Sequence, residues 1–231
     1  VCFDPLSSYG VEAALGAALW LANWRLLPET LHATQRQSFH PMHLLRGYWS
    51  MARSARFMTL VLASGIPFNG MFMYVLAAPV FLGRHLALGP TGFWWFFVLT
   101  IAGIMGGAWL SGRLAGRIKP RHQIRHGFLI MVLVSLFNML ANAWFEPHWA
   151  WAMLPIAIFA FGWALMVPVV TLLVLDLHPD RRGMASSVQA CIGSLANAAV
   201  AGALVPLVMH SPLALAVTSA VLMGVGLAAW V

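Results

Sequence analysis

Nine histidines and six carboxylates are the side chains of this 231-residue chain best suited to hold a metal ion or move a proton near neutral pH. His40-x-x-His43 and His122-x-x-x-His126 have spacings at which two imidazoles can share one ion. A histidine-cluster membrane enzyme needs many more converging imidazoles, adjacent His-His pairs among them, and the chain has no such pair. The acids are sparser still: Glu12 is the only one inside an apolar run, and Asp176 stands at the end of another, beside arginines. Cys2 and Cys191 are too distant in sequence to suggest a metal site or a disulfide framework. The residues therefore point away from an enzyme, and no metal or cofactor site is expected.

What remains is hydrogen-bonding chemistry. Ser186, Gln189, Gly193 and Asn197 follow one another at helical steps, which places them on one face. Asn69 stands among Phe68, Phe72 and Met73 at similar spacing. Polar groups inside a membrane helix must face protein or water, because hydrocarbon satisfies no hydrogen bond. Two roles fit them: lining a cavity for a bulky amphipathic molecule, or tying helices together through small contacts and interhelical bonds. Packing fits Ser186 and Gly193 better, whereas Asn69, Gln189 and Asn197 fit either role.

The elements that carry these residues follow from composition. Hydrophobic residues make up 61% of the chain and charged residues 8%, against about 25% charged in an ordinary soluble domain. Six runs pass without a charged side chain: Phe57 to Gly83, Phe93 to Ser111, Gly127 to Phe145, Ala150 to Leu175, Met184 to Met209 and Ser211 to Val231. A helix needs about 20 such residues to cross a bilayer core. A seventh run, Leu6 to Leu27, is broken by Glu12, Asn23 and Arg25. The runs are apolar on all sides, so they are helices and not barrel strands, which alternate. The fold class is an all-α membrane protein of about seven transmembrane helices.

Orientation follows from the basic residues. With the chain start outside, twelve of the thirteen fall on the inner face: Arg25, then those of residues 28–56, 112–126 and 176–183. Arg84 alone lies outside, which is the positive-inside pattern. The net charge of +7 thus reports topology and contact with anionic headgroups, not nucleic-acid binding. His85, His148 and His210 come out opposite His122 and His126, a further count against one metal cluster. Trp94, Trp95, Trp144, Trp149 and Trp151 gather at the outer interface, where an anchoring belt explains them better than a ligand site. Pro67, Pro155, Pro168 and Pro206 sit inside spans and each can kink its helix.

The long connection between the first two spans, Pro28 to Arg56, contrasts with the short ones that follow. Together with an odd helix count and a start at Val1, it predicts a fragment. Leu27-Pro28-Glu29-Thr30-Leu31 resembles the LPETL signature that ends helix six in many major facilitator drug exporters. Leu45-Arg46-Gly47-Tyr48 and Arg56-Phe57, then Phe68-Asn69-Gly70-Met71-Phe72-Met73-Tyr74 with Ala78-Pro79, resemble helix seven of the bicyclomycin/chloramphenicol-resistance (Bcr/CflA) family. Leu175-Asp176-Leu177-His178-Pro179 and Arg182-Gly183-Met184-Ala185-Ser186-Ser187-Val188-Gln189 are similar to its helix 10–11 region. The loop Gly112-Arg113-Leu114-Ala115-Gly116-Arg117-Ile118-Lys119-Pro120-Arg121 resembles the superfamily's gating motif, with Gly116 where that motif has an acid.

This resemblance implies a C-terminal portion of a twelve-helix drug:proton antiporter. Residues 1–27 would be helix six, 28–56 a cytoplasmic loop between halves, and 57–231 the C-terminal six-helix bundle. It further implies a substrate cavity with Asn69, Phe72, Tyr74, Gln189 and Asn197, and a gating loop with Gly112, Arg117 and Arg121. The partners implied are the lipid bilayer, a small hydrophobic substrate, protons and the N-terminal half of the same transporter, in a bacterial inner membrane. The coupling acid is expected in that other half. A metabolite or sugar transporter of the same fold is the alternative.

Overall fold

The computed structural model describes residues 5–27, 41–89, 92–146 and 148–231, with backbone alone at 5–8, 43 and 150. Every regular element among them is helical. The chain divides into two compact units, Val1–Leu44 and Leu45–Val231. In the first unit, helix α1 (Pro5–Leu26) covers the broken apolar run, with Trp20 stacked on Trp24 at 5.8 Å. The LPETL string from Pro28 onward, Arg36 and His40 lie outside the described residues.

Helix α2 (Pro41–Ala52) begins in the first unit and ends in the second. It lies in a connection that composition alone suggests is a loop. Its apolar residues do not share one environment: Met51 is buried while Leu45 and Trp49 are exposed.

The second unit holds six helices long and apolar enough to cross a membrane. α3 (Ala55–Leu76) is capped by Ser54, whose Oγ accepts from the Phe57 N–H at 3.4 Å. It continues through the short α4 (Ala78–Val80) and a wide π turn, Phe81–His85. Then come α5 (Phe93–Leu114), α6 (Pro120–Trp144) and α7 (Trp149–Asp176). α8 (Arg182–Ala199) runs into a second π turn, Val200–Leu204, and the short α9 (Val205–Val208). α10 (Pro212–Trp230) closes the unit.

The bundle is inside-out relative to a soluble one. On α6, Gln123, Ile124, Gly127, Phe128, Met131, Ser135 and Asn138 face the interior. Leu129, Leu133, Leu136, Phe137 and Leu140 face outward, each about half exposed or more. In a membrane that outer stripe meets lipid, so no apolar face is wasted. Trp94, Trp95, Trp144 and Trp149 are likewise exposed at the Arg84 end, as the interfacial belt requires.

A hidden symmetry organises the contacts. α3 packs on α10, and α7 on α6; α5 packs on α7, and α8 on α3; α3 also meets α7, and α6 meets α10. Exchanging α3 with α7, α5 with α8 and α6 with α10 maps these six pairs onto one another, although α7 also touches α8 without a comparable α3–α5 contact. Two three-helix repeats related by a pseudo-twofold axis explain it. Nothing in the local sequence pattern announces the repeat.

Glycines set how closely the repeats dock. A Cβ on Gly103 would run into the Ala157 carbonyl oxygen, and one on Gly107 into that of Phe161. Gly127 and Gly162 face each other across α6 and α7. Gly226 of α10 fits against the Pro67 ring. Small residues that let backbones approach are the main adhesive between membrane helices, since lipid is as apolar as leucine. Close approach happens here and not at Gly112 or Gly116, where an added Cβ meets open space. Gly107→Val is therefore expected to push α5 off α7 and cost about 1–3 kcal/mol. Gly112→Ala should cost nothing measurable. Thermal unfolding of the detergent-solubilised protein, followed by tryptophan fluorescence, compares the two.

Candidate substrate groove

Three helices of the second unit, α3, α7 and α8, meet along a groove of about 220 Å³. Val61, Ser64, Gly65 and Phe68 come from α3; Trp163 and Val167 from α7; Gln189, Gly193 and Asn197 from α8. Each set recurs every three or four residues, so one face of each helix supplies it.

Aromatic rings form one side. Phe68 stacks on Phe72 at 5.3 Å and tilts against Trp163 at 4.9 Å. The Trp163 indole donates to the Ser64 carbonyl at 2.9 Å, within the stretch of α3 that Pro67 interrupts. That bond fixes the ring while leaving its face toward the groove, the usual arrangement of a half-buried tryptophan. The polar side is sparse. Gln189 donates to Thr171 Oγ1 at 3.3 Å and, at the limit of a hydrogen bond, to Ser64 Oγ at 3.5 Å. The Asn197 carbonyl oxygen is buried with no protein partner. An unpartnered amide oxygen in such a place can accept from a ligand donor, and otherwise costs about 1–3 kcal/mol.

The expected cavity residues separate. Gln189 and Asn197 line the groove, and Phe72 borders it through Phe68. Gly193 lines it too, with nothing within 4 Å of an added Cβ, so it is not the packing glycine its small size suggests. Asn69 lies one turn beyond Gly65, fully enclosed; its Nδ2 donates to the Gly65 carbonyl at 3.0 Å and its Oδ1 has no partner. Tyr74 does not face the groove. It is buried on the opposite side, where Asn138 Nδ2 donates to its hydroxyl at 2.9 Å and Phe81 meets its ring edge-on at 5.1 Å. Ser186 is exposed and its hydroxyl donates to the Gly183 carbonyl at 2.9 Å, as a helix-start serine does.

Sequence reasoning missed the ties that hold the groove walls in place. Gln123 of α6 is buried and donates to Ser111 Oγ at 2.7 Å and to the Leu165 carbonyl at 2.9 Å, joining α5, α6 and α7. The signal was available: Gln123 falls within a basic stretch that reads as loop, although Pro120 marks the start of a helix. His85 donates to the Met209 carbonyl at 3.1 Å and ties the end of the π turn Phe81–His85 to the end of α9.

Gly112, Arg117 and Arg121 are exposed at the turn between α5 and α6. Gly116 has φ of 75°, just past the end of α5, and the Arg117 N–H returns to the Leu114 carbonyl at 2.9 Å. Glycine at this position is thus a helix-terminating residue in the left-handed region. The backbone accounts for Gly116 where the motif has an acid. Among the described residues, no three of His, Cys, Asp and Glu converge on a common point. Asp176 pairs with Arg182 at 2.8 Å, both well exposed.

Six helices long and apolar enough to cross a membrane, among the described residues, make this a multi-pass membrane protein. Residues 5–201 match the model of the Major Facilitator Superfamily, and the chain belongs to that superfamily. A comparison with curated proteins gives no match.

The two buried amide environments make different demands. Tyr74→Phe removes one interhelical hydrogen bond and is expected to lower stability by about 0.6–1.7 kcal/mol. It should leave cargo recognition unchanged. A thermal-shift assay beside a transport assay of the same variant tests both halves of this expectation.

Proposed function

We propose that the chain is part of a proton-driven exporter of hydrophobic, drug-like compounds in a bacterial inner membrane, related to the Bcr/CflA antiporters. The groove between α3, α7 and α8 forms one wall of the cargo cavity. The observation that carries this reading is the composition of that wall: Phe68, Phe72 and Trp163 supply flat apolar surface, and Gln189 and Asn197 supply isolated hydrogen-bonding groups. Such a surface suits bulky amphipathic molecules that are oriented by one or two polar contacts. A sugar, with a hydroxyl on nearly every carbon, would leave most of its donors unpaired there.

Residues 1–27 act as the last helix of the preceding half, and 28–56 join it to the six-helix bundle of 57–231. The span that contains α8, Pro179–Val208, is the most exposed, with 11% of its most apolar window buried against 50% for α3. A second half packed across the groove would cover it. Rocking of one half against the other would then open the cavity to each side in turn.

Proton coupling lies outside the six spans. Their interiors contain no carboxylate; Asp176 and Asp180 stand at span ends, and Asp176 is engaged with Arg182. Among the described residues, Glu12 in α1 is the one acid in the interior of an apolar helix. The exposed arginines of the α5–α6 turn, Arg117 and Arg121, with Gly112, take part in closing the inner face.

The test is a drug-susceptibility panel with the full-length gene in an exporter-deficient host, with and without an uncoupler. Resistance to several hydrophobic drugs that the uncoupler abolishes is expected. Gln189→Leu and Asn197→Leu should each shift the drug profile by about tenfold for substrates that hydrogen-bond there, the effect of roughly 1.4 kcal/mol. Unchanged susceptibility to every drug, with altered uptake of a metabolite, would sink the exporter reading. Loss of proton-linked transport in Glu12→Gln would move the coupling site into α1.

A further inference from the structure

A second cavity, larger than the cargo groove, opens at the other functional end of the bundle. It measures about 960 Å³ and lies among the starts of α3 and α6 and the C-terminal ends of α7 and α10. Its rim carries Arg56, Lys119, Arg121, His122 and Arg125. Its walls are apolar, with Leu129, Val132, Leu173 and Trp230 prominent. No Asp or Glu side chain lines it, and none of the five basic side chains forms an ion pair among the described residues. Arg182, by contrast, is neutralised by Asp176.

The positive-inside bias explains why bases gather at this end. It does not require five of them to converge on one concavity without a counter-charge. The four cations among them, Arg56, Lys119, Arg121 and Arg125, repel one another, and an anion in the recess relieves the repulsion. Arginine and lysine around a recess match the charge and the oxygen acceptors of a phosphate. The apolar wall then narrows the choice. A free phosphate has no use for it, whereas Leu129 is 54% exposed and heads the lipid-facing stripe of α6 that continues through Leu133, Leu136 and Leu140. Headgroup site and acyl-chain track are therefore continuous.

We propose that this cavity binds the phosphate headgroup of an anionic phospholipid of the inner leaflet, with its acyl chains laid along the exposed leucines of α6. The site is separate from the cargo groove and does not depend on what the cargo is. An occupied site neutralises the start of α6 and joins the ends of four helices, two from each three-helix repeat. The α5–α6 turn, with Arg121 at its edge, is thereby sensitive to the lipid present.

The full chain, purified in a mild detergent, is titrated with phosphatidylglycerol or with phosphatidylcholine of the same acyl chains, and bound lipid is counted by native mass spectrometry. Retention of phosphatidylglycerol over phosphatidylcholine is expected. R121Q/R125Q should weaken phosphatidylglycerol binding roughly twentyfold or more, since each base near an anionic lipid contributes about fivefold. R113Q should leave it unchanged, because Arg113 sits at the same end but outside the cavity, 4.6 Å over the Trp109 ring. Should R121Q/R125Q not fold, R56Q/K119Q gives the same reading from the other two cations of the rim. Equal binding of the two lipids overturns the proposal, as does an equal loss in R113Q. Full displacement by millimolar inorganic phosphate, with no dependence on acyl-chain length, also overturns it in favour of a free-anion site.

Discussion

Hydrocarbon offers no partner to a peptide N–H or carbonyl, and this one constraint orders the rest of the structure. It forces each span into a helix that satisfies its own backbone. It also removes the hydrophobic drive that would hold those helices together, since lipid and leucine are equally apolar. Association then depends on close approach at a few glycines and on a few side-chain hydrogen bonds. Gly103 and Gly107 let α5 lie against the α7 backbone, and the Gly127–Gly162 pair does the same for α6 and α7. Gln123 fastens α6 to α5 and α7, and the Asn138–Tyr74 bond fastens it to α3. The position of the groove follows, because α7 is the helix that these contacts fix in place.

Much of the fold was legible because charge is a one-dimensional signal. Six long intervals without Arg, Lys, Asp or Glu cannot be read as anything but spans, and the six helices fall where those intervals lie. Facing is not one-dimensional in this way. α7 is apolar all round, so its sequence does not say which side meets α5, which α6 and which the groove. The π turns at Phe81–His85 and Val200–Leu204 and the helix inside the long connection were equally silent, since none changes composition.

Polar residues show the same limit at the level of single side chains. A stripe of Gln189, Gly193 and Asn197 was readable as one face, and the structure keeps it together in the groove. Asn69 and Tyr74 carry the same kinds of polar groups at similar helical spacing, yet one is enclosed and the other points to the far side of α3. Amide chemistry alone does not separate a tie from a ligand contact; only the neighbouring helix does. Gly116 is the converse case. Its departure from the gating motif reads as a lost acid, whereas φ of 75° makes it a gained helix stop.

The distribution of interrupted helices gives these observations a common direction. α3 carries Pro67, and α7 carries Pro155 and Pro168. α8 passes into a π turn, with Pro206 in the α9 that follows. α5 contains no proline, while α6 and α10 have theirs only in the first turn, where no backbone bond is lost. So the three helices that line the groove are the three whose hydrogen-bond ladders are broken within the span. The remaining three, including both partners of the Gln123–Ser111 bond, are continuous. Prolines and π turns are where helices bend. The groove is thus walled by helices whose ladders are interrupted and held by helices whose ladders are whole.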